Sequence, residues 1–186
     1  MRARAFAALL LLGACTLPTP PDTAVVAGNI NTQTPILEPA HALDFAAWAL
    51  AVPSRTRDNA ISGSYAIAAL DYLAGDVATS ARFTGIDPLM VQRLLAGRRE
   101  ARRALAVAPG ASSTQVVGDL LAAYQALARH DVAAARAALP ADVFTLGPDR
   151  TILTLANLPP LPVAAGALSA IAAQYDGPGA DCPFCL

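Results

Sequence analysis

An all-α fold, a compact bundle of about six or seven short helices, is predicted by two observations. Through most of residues 41–175 apolar side chains recur at i, i+3, i+4 and i+7, the spacing of one buried helical face. The segments marked in this way tend to start at capping residues and stop at proline or glycine.

The first helix begins near His41, with Phe45, Trp48, Ala49 and Val52 on one face, and Pro53 stops it. The second starts with Asp58 as N-cap and carries Ile61, Tyr65, Ala68, Ala69, Tyr72 and Leu73, ending at Gly75 as the residue after the C-cap. Gly63 within it costs about 1 kcal/mol relative to alanine, which points to close approach of another helix there. Asp87-Pro88 opens the third helix as a cap residue followed by proline at N1, and Pro109-Gly110 closes it after about Val107. In the fourth, Ser112 and Gln115 have the capping-box spacing, and Val116, Val117, Leu120, Leu121, Tyr124 and Leu127 form the apolar stripe. A break at His130-Asp131 leads into a fifth helix, Val132 to Leu139, giving an αα-hairpin. Residues 143–155 fit either a small hairpin about Gly147-Pro148-Asp149 or a helix with Pro148 at N1, and the helix is favoured. Pro159, Pro160 and Pro162 force an extended link before a last Ala-rich helix, Val163 to Tyr175. Trp48, Leu120, Leu121 and Tyr124 are expected in the core.

The hairpin resembles one tetratricopeptide unit, with Ala123 and Ala135 near the helix crossing and Asp131 in the turn. No second copy follows at a period of about 34 residues, so an array is not predicted.

Arg2 and Arg4 precede Ala5 to Ala14, ten residues without a polar side chain, and the run closes on Leu12-Gly13-Ala14-Cys15. That apolar stretch is too short to span a bilayer. The pattern resembles the signal of bacterial lipoproteins. The resemblance covers about 15 residues and implies cleavage before Cys15, with acyl chains on its thiol and its new amino group. Each buried methylene contributes about 0.8 kcal/mol, so two or three chains anchor a protein almost permanently without spanning the membrane. Thr16 stands where an aspartate commonly retains such proteins at the inner membrane, so the resemblance implies the outer membrane and a body facing the periplasm.

Without residues 1–14, 172 residues remain, enough for one domain with a real core. All 13 basic side chains are arginine, and 12 of the 14 acids are aspartate. Setting Arg2 and Arg4 aside leaves eleven basic against fourteen acidic groups, a formal charge of −3, which argues against a nucleic-acid binder. Residues 15–40 carry Pro18, Pro20, Pro21, Pro35 and Pro39 without an apolar period and read as a tether. At about 3.1 Å per residue it could hold the body up to roughly 75 Å from the lipid, or lie partly along the domain.

Arg98, Arg99, Arg102 and Arg103 fall on one broad arc of the third helix, opposite Met90, Leu94, Ala101 and Leu105. Such an arc either docks on anionic headgroups or an acidic envelope protein, or is a solvated face paired with Glu100. Residues 176–186 form a tail in which Cys182-Pro183-Phe184-Cys185 follows the hinge Gly177-Pro178-Gly179. In an oxidising compartment the plain expectation is a local disulfide. A thiol-redox site would need a helix after the first cysteine, and a zinc site two further ligands. His41 with Asp44, His130 with Asp131, and Ser62 or Ser64 complete the inventory of reactive groups. No strand-turn-helix elbow surrounds either serine, so no catalytic residue, metal or cofactor is assigned. The overall expectation is a lipid-anchored envelope protein with a structural, assembly-accessory or binding role, similar in plan to the small helical lipoproteins that assist outer-membrane assembly, such as secretin pilotins. The competing expectation is a periplasmic thiol-redox or other enzyme using Cys182 and Cys185.

Overall fold

The structure, a computed structural model, describes residues 22–25 and 37–175 apart from the Arg82 side chain. The signal segment, Cys15, Cys182 and Cys185 lie outside the described residues. Within them the fold is all-α: α1 (Pro39–Ala51), α2 (Ala60–Thr79), α3 (Pro88–Ala104), α4 (Ser113–Ala128), α5 (Val132–Ala137), α6 (Pro148–Ala156) and α7 (Pro162–Tyr175). Short 3-10 turns at Pro53–Arg55 and Ala81–Phe83 follow α1 and α2.

Helix α2 is the axis of the bundle. Its residues from Gly63 to Asp71 are buried without interruption, because α1, α3, α4 and α6 all pack on it, and a helix apolar all round belongs in the interior. Helix α7 covers α1 and α3, and α5 folds back on α4. Leu43, Ile67, Leu70, Leu73, Leu94, Leu105, Leu120, Phe144, Leu155, Leu168 and Ile171 are among the fully buried side chains.

The helix starts follow their local chemistry. Asp87 accepts a hydrogen bond from the Leu89 N–H (2.8 Å), Ser112 from Gln115 (3.2 Å) and Asp131 from Ala134 (2.9 Å). Proline stands at the start of α3 and α6, where its missing N–H is no loss. Residues 143–155 combine both readings: Pro148 opens α6, while Phe144 makes an isolated antiparallel bridge to Val107. The expected close approach at Gly63 is present, since a Cβ there would lie 1.9 Å from the Leu155 carbonyl oxygen of α6. Gly97 plays the same part between α3 and α7, where a Cβ would fall 2.6 Å from the Ala164 Cα.

Several expectations are corrected. Trp48 is 49% exposed and not a core residue. The buried stripe of α1 is Ala42, Leu43, Ala46, Ala49 and Leu50, so small alanines rather than the indole meet the neighbouring helices. Trp48 packs sideways on Phe45 and under the Arg55 guanidinium, 5.1 Å from the ring centroid. Leu120 and Leu121 are buried, and Tyr124 is half-buried. The N-cap of α2 is Asn59, whose side chain accepts from the Ser62 N–H (3.0 Å), while Asp58 takes a left-handed turn (φ 55°) just before it. Gly75 does not end α2, which continues to Thr79. The glycine instead admits another stretch of chain, because a Cβ there would lie 2.8 Å from the Thr23 Cα and 2.9 Å from the Asp22 carbonyl oxygen. Residues 22–25, expected within the tether, therefore lie against the body, with Ala24 only 5% exposed. The body also begins earlier than residue 41, since Leu37 and Pro39 are buried.

Candidate functional site

The densest polar cluster of the described residues sits where α2, α3 and α4 meet residues 22–25. Asp71, on the buried stretch of α2, has its side chain 2% exposed. Alone in such surroundings a carboxylate would be costly. Arg102 of α3 neutralises it with a two-pronged pair, Nε to Oδ2 at 2.6 Å and Nη2 to Oδ1 at 2.8 Å. The planar guanidinium fork fits a carboxylate in this way, which a lysine could not do. Arg102 also donates to the Ala111 carbonyl (3.0 Å) and to Ser113 Oγ (2.8 Å). The Ser113 hydroxyl donates to Asp71 Oδ1 (2.8 Å) and accepts a second guanidinium contact from Arg98 (2.9 Å).

Residues 22–25 complete the cluster. The Ser113 N–H, at the first turn of α4, donates to the Asp22 carboxylate (2.5 Å). That placement suits a negative group at the positive end of a 16-residue helix. Arg98 donates to the Asp22 carbonyl (2.7 Å), and Arg102 lies 3.9 Å from the Asp22 carboxylate. The Val25 N–H donates to the Thr114 hydroxyl (3.0 Å). Burial pulls the Arg98 pKa down, against the pull of Asp71 and Asp22. Burial also lowers that of Arg102, but hydrogen bonding to Asp71 and the charges of Asp71 and Asp22 outweigh it, so its pKa is raised.

The four arginines of the arc on α3 are thus divided. Arg98 and Arg102, one turn apart, face inward into the cluster, whereas Arg99 and Arg103 are exposed. Glu100 turns toward α7 and accepts from the Ala164 N–H (3.0 Å). The helical arc seen in the sequence is real, but its inner edge is structural. What could have signalled this is Asp71, a carboxylate on an otherwise small and apolar stretch of α2, which requires a cationic partner if buried. Ser113 carried no comparable signal.

The remaining candidates are occupied in other ways. The His41 ring stands edge-on to Tyr65 at 6.3 Å, and the backbone N–H of His41 donates to the Glu38 carboxylate that caps α1. Tyr65 in turn packs on Phe45 and Tyr124. Its pKa is raised by burial, then by Tyr124 and Glu38. His130 takes the left-handed turn after α4 (φ 59°), and Asp131 caps α5. Ser64 donates to the Ala60 carbonyl (2.7 Å) within its own helix. An open hollow of about 440 Å³ beside the end of α2 is lined by Val77, Phe83, Ile86, Pro88 and Val91 with a few neutral polar side chains. Among the described side chains that line it there is no acid or base. Among the described residues no three His, Cys, Asp or Glu side chains gather as metal ligands, and no helix is long and apolar enough to cross a membrane.

Asp119 of α4 is the one described side chain with a buried oxygen, Oδ2, that lacks a hydrogen-bond partner. Its pKa is raised, first by burial and then by the charge of Asp142. A folded-state value above the unfolded one means that the neutral form is favoured in the fold. The resulting stabilisation is full below the unfolded value near 3.8 and is lost as pH rises through the folded value. Asp119→Asn is therefore expected to raise stability at about pH 7, by at most about 1 kcal/mol because the carboxyl is partly solvated. The gain should vanish at about pH 3, where both side chains are neutral. Urea unfolding at the two pH values checks the sign, and equal gains at both would refute the assignment.

No family model matches the chain, and comparison with curated proteins and with solved structures finds no significant similarity. The roles of its residues therefore rest on its own chemistry and geometry.

Proposed function

We propose that this chain is a lipid-anchored protein of the bacterial envelope, held at the outer membrane by acyl chains on Cys15, with a structural, assembly-accessory or binding role for its helical body. The observation that carries the reading is Leu12-Gly13-Ala14-Cys15 at the end of an apolar run that follows Arg2 and Arg4. The polar cluster supports the non-catalytic part. Asp71, Arg102 and Ser113 satisfy one another, and a serine hydroxyl that donates to an arginine-neutralised carboxylate has no base to activate it. These groups hold elements together. Arg99 and Arg103 are the guanidinium groups through which the body would meet an anionic headgroup or an acidic envelope partner.

Cys15→Ser is expected to move the protein from the membrane fraction to the aqueous or unprocessed pool. Intact-mass measurement of the wild-type chain should show cleavage before Cys15 and a mass increase from acylation. A mature chain with unmodified Cys15 would overturn the reading. Separation of inner and outer membranes on a density gradient tests the inference drawn from Thr16.

A further inference from the structure

The polar cluster does more than stabilise the bundle, because one of its members belongs to the segment that leads to the anchor. Asp22 is held by three residues from two helices: Ser113 through its N–H and its hydroxyl, Arg98 and, at longer range, Arg102. Thr23 crosses α2 over Gly75, where only a hydrogen leaves room for its backbone. Ala24 is buried, and Val25 is tied to Thr114. Four consecutive residues thus make a strap with polar bonds at both ends and a steric slot in the middle.

We propose that this strap is a latch that shortens the leash to the membrane and fixes which face of the body is turned to the lipid. The inference rests on Cys15 being the anchor. Seven steps of chain separate Cys15 from Asp22, and whatever their conformation they span at most about 25 Å. The chain from Cys15 to Leu37 would allow roughly 70 Å. A folded body of about 140 residues has a radius of gyration near 14 Å, hence a diameter of somewhat under 40 Å. A latched leash is therefore shorter than the body is wide. The face formed by the second half of α3 and the start of α4 lies next to the bilayer, and the opposite face cannot reach it. With the latch open, the leash runs from Cys15 to Leu37, and the body gains both reach and freedom to turn.

Two variants open the latch by different routes. Asp22→Ala removes the carboxylate from the strap itself and leaves every residue of the helices in place. Gly75→Ala pushes the strap off its slot, while alanine is a better helix former than glycine, so α2 is retained. The full lipidated chain is placed in bilayers of phosphatidylethanolamine and phosphatidylglycerol. Hydrogen exchange is then read at the Val25 and Ser113 amides, with Leu120 reporting that the body stays folded. Exchange at Val25 and Ser113 is expected to quicken at least tenfold in both variants and to stay unchanged at Leu120. Neutron reflectometry should place the wild-type body flush with the bilayer, and should show the variant layers broadened and moved outward by on the order of 10 Å or more, as suits a leash of that length. Equal exchange in wild type and both variants would overturn the latch. Altered exchange with equal layer heights would overturn the shortened leash. Absence from the bilayer together with an unmodified Cys15 would overturn the anchor, and the leash with it, while the exchange result still decides whether the strap is bound.

Discussion

Replacing Asp71 by Ala is expected to destabilise the protein by about 3–5 kcal/mol, the cost of leaving one member of a buried ion pair without its partner. The side chain of Arg102 is only 18% exposed and gives two of its hydrogen bonds to Asp71. Without that carboxylate the guanidinium keeps only the Ala111 carbonyl, the Ser113 hydroxyl and the more distant Asp22 carboxylate, and the Ser113 hydroxyl loses its nearer acceptor. The pair itself need not be a net gain over apolar packing, because desolvating both charges offsets much of their attraction. The double variant Asp71→Leu with Arg102→Met should accordingly lose less stability than Asp71→Ala alone. Thermal melting gives the readout: for a domain of this size 3 kcal/mol corresponds to a drop of roughly 10 °C. A loss under about 1 kcal/mol for Asp71→Ala would mean that water reaches Arg102 and that the cluster is not the closed network described.

This cluster also marks the limit of what the sequence reveals. Signals confined to a few neighbouring residues were legible: Asp87-Pro88, Ser112 with Gln115, Asp131 and Pro148 each start a helix by chemistry that acts within one turn. The buried character of Leu94, Ala101, Leu105 and Leu120 followed from period alone. The phase of α1 did not, because Pro39–Ala51 is apolar nearly all round and offers several stripes. Bulk alone points to the stripe of Phe45 and Trp48, whereas close contact with α2 and α7 selects the alanines. For the site, an arc of four arginines was visible, but not which of them turn inward. That depends on Asp71, 31 residues from Arg102 in sequence, and on Asp22, 91 residues from Ser113. Pairings across such distances leave no periodic trace in a single chain.

Gly63→Ala should be the most damaging of the conservative substitutions in the bundle, against the usual preference for alanine in a helix. Intrinsic propensity favours the change by about 1 kcal/mol. The added methyl, however, would stand 1.9 Å from the Leu155 carbonyl oxygen and 2.8 Å from its carbonyl carbon, which are backbone atoms of α6 that no rotamer change can move. Helix α6 must retreat by more than an ångström for ordinary contact, and it carries Leu155 and Thr151, both fully buried, with it. Overpacking of this kind costs typically 1–3 kcal/mol and occasionally more. Because the obstruction is main chain, a net loss of about 2 kcal/mol or more is expected after the propensity gain. Gly118→Ala in α4 serves as the control: nothing lies within 4 Å of its Cβ position, so only the propensity term acts and stability should rise by up to about 1 kcal/mol. Urea unfolding of the two variants beside wild type decides the matter. Opposite signs are expected, and a stabilised Gly63→Ala would mean that α2 and α6 do not cross as closely as described.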